Sequence, residues 1–170
     1  MEAARYKVSE EHQIAFTLLH FRASIPLFLL AGGLVTLAIA AVAYALADKF
    51  AALSVAIGGV IGVCLMLAII RFFSIIRHAK RAYREFALIK EPVELTLSDA
   101  GFTMAQPSAH VEGRWDKMIK WDEDDEVFAI YITQQQAYVV PKDQVEPGLI
   151  HVARNGLMAS GLTTKRKKRR

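Results

Sequence analysis

Two long uncharged apolar runs, almost touching, limit what this chain can fold into. Residues 25–47 contain no charged side chain and residues 50–70 contain none; only Asp48 and Lys49 lie between them. About 20 apolar residues rising about 1.5 Å each cross a hydrocarbon core about 30 Å thick, so either run is long enough to span. A break of two residues predicts an antiparallel hairpin whose turn borrows from residues 45–52. Pro26 falls in the first helical turn, where it costs little. Neither run carries the polar stripe expected of a helix in a soluble bundle. A cleaved signal peptide is excluded because the first run is too long, starts too late and is followed at once by another.

Charge sets the orientation of such a hairpin. Arg5, Lys7 and Arg22 precede it, and Arg71, Arg77, Lys80, Arg81, Arg84 and Lys90 follow it. Both termini are therefore expected in the cytoplasm. Gly58 and Gly62 form a GxxxG pair, and Ala38, Ala41 and Ala45 form a small-residue ridge. Such ridges let helices approach closely in lipid. We expect packing within the hairpin, with a homodimer seam or a docking face for another membrane protein as the alternative. Neither run holds an Asp, Glu, Lys, Arg or His to serve transport.

The net charge of +4 averages three regions. Residues 1–90 net +5, residues 91–164 net −7, and Lys165, Arg166, Lys167, Lys168, Arg169 and Arg170 are all cationic. The single cysteine, Cys64, excludes a disulfide framework and any multi-cysteine metal centre.

The flanks of the hairpin read as helix. Residues 1–24 form an amphipathic lead-in, with Ser9 as N-cap and Ile14, Leu18 and Phe21 at helical spacing, expected along the inner membrane face. His12 and His20 are expected as surface histidines, and without Glu at the third position the full capping box is absent. After residue 70 the helix pattern continues as a basic extension over residues 71–91, until Glu91-Pro92 stops it. Phe72 and Phe73 fall at headgroup depth beside the cations. Arg71, Arg77, Lys80, Arg81, Arg84 and the tail residues 165–170 are the candidate contacts to anionic lipid or a partner.

From Val93 the period changes to two, and residues 92–158 read as a meander of about six short strands closed by a helix from Pro147 to about Gly156. Residues 159–170 form a disordered basic tail. The acidic run Asp122-Glu123-Asp124-Asp125-Glu126 lacks the alternation and central glycine of a calcium loop, so it reads as a solvated loop. It is also a candidate dock for the tail, in competition with lipid or RNA. Trp115 is expected in the core. Ser98, Asp99, His110 and Asp116 supply nucleophile and base types without a motif to join them. No phosphate loop or zincin signature is present.

The fold class is thus membrane α+β: a two-helix transmembrane hairpin, then a small antiparallel β meander with a C-terminal helix. The segments Leu95-Thr96-Leu97-Ser98-Asp99-Ala100-Gly101-Phe102, Arg114-Trp115-Asp116-Lys117-Met118 and Tyr138-Val139-Val140-Pro141-Lys142 resemble the C-terminal domain of YcxB-like bacterial membrane proteins. Tyr6-Lys7-Val8-Ser9-Glu10-Glu11 before paired spans is similar to the front of that family. The resemblance implies a bacterial inner-membrane address and, by looser analogy, a pleckstrin-homology-like domain. It implies no catalytic residues and no cofactor or metal. The expected role is a non-enzymatic interaction module: an accessory or assembly subunit of a membrane complex, or a scaffold at anionic lipid. A ribosome- or RNA-associated membrane factor using the tail is the alternative.

Overall fold

The computed structural model describes residues 2–22, 25–46 and 49–162; residues 47–48, where the turn is expected, and those from 163 lie outside them. In chain order the elements are β1 (Glu2–Tyr6), α1 (Glu10–Phe21), α2 (Ile25–Leu46) and α3 (Lys49–Glu85). A 3₁₀ turn (Ala87–Lys90) leads into β2 (Val93–Leu97), β3 (Gly101–Gln106) and β4 (Ala109–Arg114). A second 3₁₀ turn (Trp115–Lys117) precedes β5 (Lys120–Glu123), β6 (Val127–Tyr131), β7 (Ala137–Pro141) and α4 (Pro147–Ala159). The chain divides into two compact units, Met1–Leu19 with Ala79–Arg170, and His20–His78.

The first unit is an α+β domain built from both ends of the chain. β1, β2, β3 and β4 form one antiparallel sheet in that order, and β5, β6 and β7 form another. Strand β1 was not foreseen. It pairs with β2 from Glu2 opposite Leu97 to Tyr6 opposite Val93. Its five residues, Glu-Ala-Ala-Arg-Tyr, include no β-branched side chain, so only tertiary pairing marks them as strand.

Between the two sheets and α4 lies the main core: Leu95, Leu97, Phe102, Trp115, Trp121, Phe128, Ile130, Val140 and Leu157, with Tyr6 from β1. Every residue of β6 is buried, because the sheet is covered on both faces. Phe128 and Ile130 point into the main core. Val127, Ala129 and Tyr131 meet Ala15, Phe16 and Leu19 of α1 in a second cluster. The lead-in helix therefore packs on the β5–β6–β7 sheet, where we had expected it to lie on the membrane. Its buried face runs through His12, Gln13, Ala15, Thr17 and Leu19. The predicted stripe of Ile14, Leu18 and Phe21 is only half-buried.

Helix α4 runs on past Gly156 to Ala159, where we had placed its end near Gly156. That glycine is set by packing: a Cβ there would meet Trp115 Nε1 at 2.5 Å. The helix closes instead at Gly161, whose φ of +85° suits a residue without a side chain. Trp115 is pinned from its other side, its indole N–H donating to Ser98 O at 3.1 Å.

In the second unit, the part of α3 from Ile61 onward has the length and composition to cross a membrane, with a mean hydropathy of 1.8. Almost none of that stretch is covered by the rest of the chain. On α2, Leu30, Leu34, Val35, Leu37, Ile39 and Val42 are each more than 60% exposed. Apolar surface on this scale calls for an apolar surrounding. Helix α3 continues unbroken past residue 70 to Glu85, as its pattern predicted, and stops six residues short of the expected end at 91.

Two stability outcomes follow from this packing. Ala15→Asp places a carboxylate against β6 and should cost about 3 kcal/mol or more. Gly156→Ala should cost about 1–3 kcal/mol through the crowded Trp115 ring. Denaturation of detergent-solubilised protein followed by tryptophan fluorescence measures both; an unchanged Ala15→Asp midpoint would mean that α1 is not on the sheet.

Candidate functional site

The candidate surface begins on α3. At about 100° per residue, Arg77, Lys80, Arg81 and Arg84 share one face of about 100°. One to three turns earlier the same face carries Met66, Ile70 and Phe73, all more than half exposed. A single exposed helix stripe thus changes from apolar to cationic between residues 73 and 77. That is the pattern of a helix crossing from hydrocarbon to headgroups, where each Lys or Arg is worth about 1 kcal/mol against an anionic leaflet.

The predicted contacts differ in their availability. Arg77 and Arg84 are exposed. Arg81 bonds Glu85 at 2.7 Å and Lys80 bonds Glu10 at 3.0 Å. Arg71 lies over the Phe21 ring, 4.9 Å from its centroid. The tail cations 165–170 lie outside the described residues. Gly58 and Gly62 are exposed, and a Cβ on either would meet nothing within 4 Å. Ala38 and Ala41 are likewise exposed. The glycine contacts between α2 and α3 fall elsewhere: Gly32 sits against Leu67, and Gly59 is near Thr36.

A second constellation emerges from the acidic run, which is not a uniform solvated loop. Asp122 and Glu123 belong to β5, and only residues 124–126 turn. Asp124 Oδ1 accepts from the backbone N–H groups of Glu126 and Val127 at 2.9 and 2.8 Å, so it shapes the hairpin. The Glu123 side chain is 5% exposed. Lys142 Nζ donates to its Oε2 at 2.6 Å, and Arg154 Nη2 donates to both carboxylate oxygens at 3.1 and 2.9 Å. Lys142 Nζ also donates to Asp124 O at 2.6 Å. Burial alone raises the Glu123 pKa, but the hydrogen bonds and charges of Lys142 and Arg154 outweigh it and hold it below the ordinary carboxylate value. One carboxylate thus ties β5 to the residue after β7 and to α4.

A third constellation was also missed. His12 is buried, not a surface residue. Ser9 Oγ accepts from the His12 N–H at 3.2 Å, and His12 Nδ1 accepts from the Ser9 N–H at 3.2 Å. Histidine completes the reciprocal capping box that glutamate usually makes. His12 Nε2 then meets Asp143 Oδ1 at 3.0 Å. Next to it, Lys7 and Gln144 exchange two hydrogen bonds, at 2.8 and 3.0 Å. The serine, histidine and aspartate stand in the order of a nucleophilic triad, but Ser9 Oγ is engaged as a helix cap. Together these contacts clasp the N-terminal segment to the β7–α4 connection. The histidine at the third helical position was the one sequence signal for it.

Among the described residues, no group of three or more His, Cys, Asp or Glu side chains is placed to hold a metal ion. Ser98, Asp99, His110 and Asp116 serve local structure where bonds are seen: Ser98 Oγ donates to Gly101 O at 3.1 Å, and Asp116 pairs with Arg114 at 3.0 Å.

Residues 97–150 match the model of the family described as YcxB-like protein. The matched stretch runs from the last residue of β2 into the first turn of α4, and takes in Trp115, Glu123 and Lys142. No curated protein and no solved structure matches the chain.

Removing the Glu123 charge tests the ion cluster. Breaking a buried pair from one side costs about 3 kcal/mol, so Glu123→Gln should lower stability by about that much near neutral pH. The carboxylate's pKa is depressed in the folded state. Its contribution is therefore present above the unfolded value and lost as pH falls through the folded one. Melting curves from about pH 6 down to about pH 3 should decline steeply for the native chain and less steeply for Glu123→Gln.

Proposed function

We propose that this chain is a non-enzymatic docking module, anchored in a bacterial inner membrane by a two-helix hairpin with both termini in the cytoplasm. Its α+β domain, pleckstrin-homology-like by analogy, serves an accessory or assembly role beside a membrane complex at the anionic inner leaflet. The observation that carries this reading is that one domain is made from both ends of the chain. β1 and α1 precede residues 20–78, while their partners β2 and β6 follow them. A chain that leaves a domain and returns to it crosses a bilayer an even number of times. Among the described residues one exposed apolar helix is long enough to span, so the even number is two, with residues 25–46 supplying the other crossing. The apolar-to-cationic change on α3 between residues 73 and 77 supports the placement of the domain on the positive, cytoplasmic side.

Topology is tested by single cysteines in a Cys64→Ala background. In intact cells Asp48→Cys should react with an impermeant maleimide, whereas Glu11→Cys and Ser108→Cys should react only after permeabilisation. Reaction of Glu11→Cys and Ser108→Cys on opposite sides would defeat the split-domain anchor. Docking is tested by mild-detergent purification of the full chain and of one stopped after Thr164. The same membrane proteins should accompany both; ribosomes or RNA recovered only with the full chain would replace the docking reading with a tail-dependent one.

A further inference from the structure

We infer that β4 is a self-pairing edge through which two copies of this chain join their four-stranded sheets. The strand stands at the end of its sheet and pairs only with β3. That pairing is one-to-one over six residues, Gly101 opposite Arg114 to Gln106 opposite Ala109, without a bulge. β4 contains no proline, and among the described bonds no backbone group of residues 109–114 pairs outside the β3 ladder; just before the strand, the Ser108 N–H donates to Glu91 Oε2 at 3.0 Å. An open strand edge of this kind is a template for another strand unless proline, a bulge or a covering element blunts it.

The side chains select a second copy as the occupant and, of the two registers that pair five of the six β4 residues, one. Burial along β4 alternates, with His110, Glu112 and Arg114 outward and Ala109, Val111 and Gly113 half-buried. Antiparallel partners directly opposite each other share a face, so a two-fold axis must pass through a residue position to keep both faces matched. With the axis at Val111, His110 stands opposite the second copy's Glu112, and Glu112 opposite the second copy's His110, a donor against an acceptor twice. These two side chains already associate within one strand, at 3.4 Å, while both remain largely exposed. With the axis at Glu112, two carboxylates face each other and His110 faces a guanidinium, arrangements that destabilise a sheet. The pairing stands independently of the anchoring reading, since β4 lies wholly within the α+β unit.

The test is register-specific cross-linking of the full chain in detergent, with Cys64→Ala as background. Two differently tagged chains, one His110→Cys and one Glu112→Cys, are mixed and oxidised. Directly opposite Cβ atoms are about 5 Å apart and diagonal ones about 7–8 Å, so the mixed disulfide should form several-fold more than either like-with-like product. Adding Val111→Pro to each chain, with the tryptophan melt confirming folding, should abolish the product. Equal yields of all three disulfides, or a monomeric mass for the native chain by light scattering at high concentration, would overturn the inference.

Discussion

The fold depends on covering strand β6 from both sides. Its five residues are all buried, and its two faces need different partners. The inner face, Phe128 and Ile130, is served by the core between the two sheets and α4, which includes Leu95, Leu97, Phe102 and Leu157. The outer face is served by Ala15, Phe16 and Leu19, which are more than 100 residues away in the chain. Without α1, the row of Val127, Ala129 and Tyr131 would stand open to water. Tyr131 shows how closed the site is: burial, with Asp122 nearby, pushes its hydroxyl up to about 12. The N-terminal segment is thus a layer of the domain.

How much of this could be read from sequence follows from the range of each interaction. The strands from β2 to β7 are legible because alternation and turn residues are local signals. The long run of α3 is legible for the same reason, its helical stripes continuing past residue 70 without a break. β1 and the α1 packing were not legible. Ala3 and Ala4 have no strand preference, and the apolar positions on α1 gave a stripe offset from the face that is buried. Glu123 was hidden in a run of five acids, where nothing local distinguishes the one turned inward. Its partners Lys142 and Arg154 lie 19 and 31 residues away. The Pro141-Lys142 pair carried the resemblance, and the structure supplies its physical content: Pro141 is buried at the end of β7, and Lys142 turns back onto the carboxylate.

The interior ion cluster also changes how the domain's acidity should be read. The net of −7 over residues 91–164 already counts Glu123, Lys142 and Arg154, which together carry +1, so the excess acidity rests on the other carboxylates, of which Asp124 is committed to its turn. Buried pairs of this sort add little net stability compared with apolar packing, because desolvation offsets attraction. Their effect is on register. Arg154 spans both oxygens of one carboxylate and Lys142 holds one of them, so a slip of β5 by one residue would turn Glu123 away and leave two cations without their partner.

The pairing of β1 with β2 joins Tyr6 and Val93, which are 87 residues apart. Closing a loop of that length is entropically costly in a flexible chain, although the cost grows only slowly with length. The inserted helices reduce it, because their contacts are local and form without waiting for the sheet. The ends of the insert are drawn together as well, since Glu10 at the start of α1 bonds Lys80 on α3 at 3.0 Å. Once that pair stands, the strand entering the sheet is separated from its partner by two short segments. The clasp of Ser9, His12 and Asp143, with Lys7 and Gln144, holds the same segment, just after β1, to the β7–α4 connection. Release of α1 would uncover Val127, Ala129 and Tyr131 while leaving the ladders of β5, β6 and β7 in place.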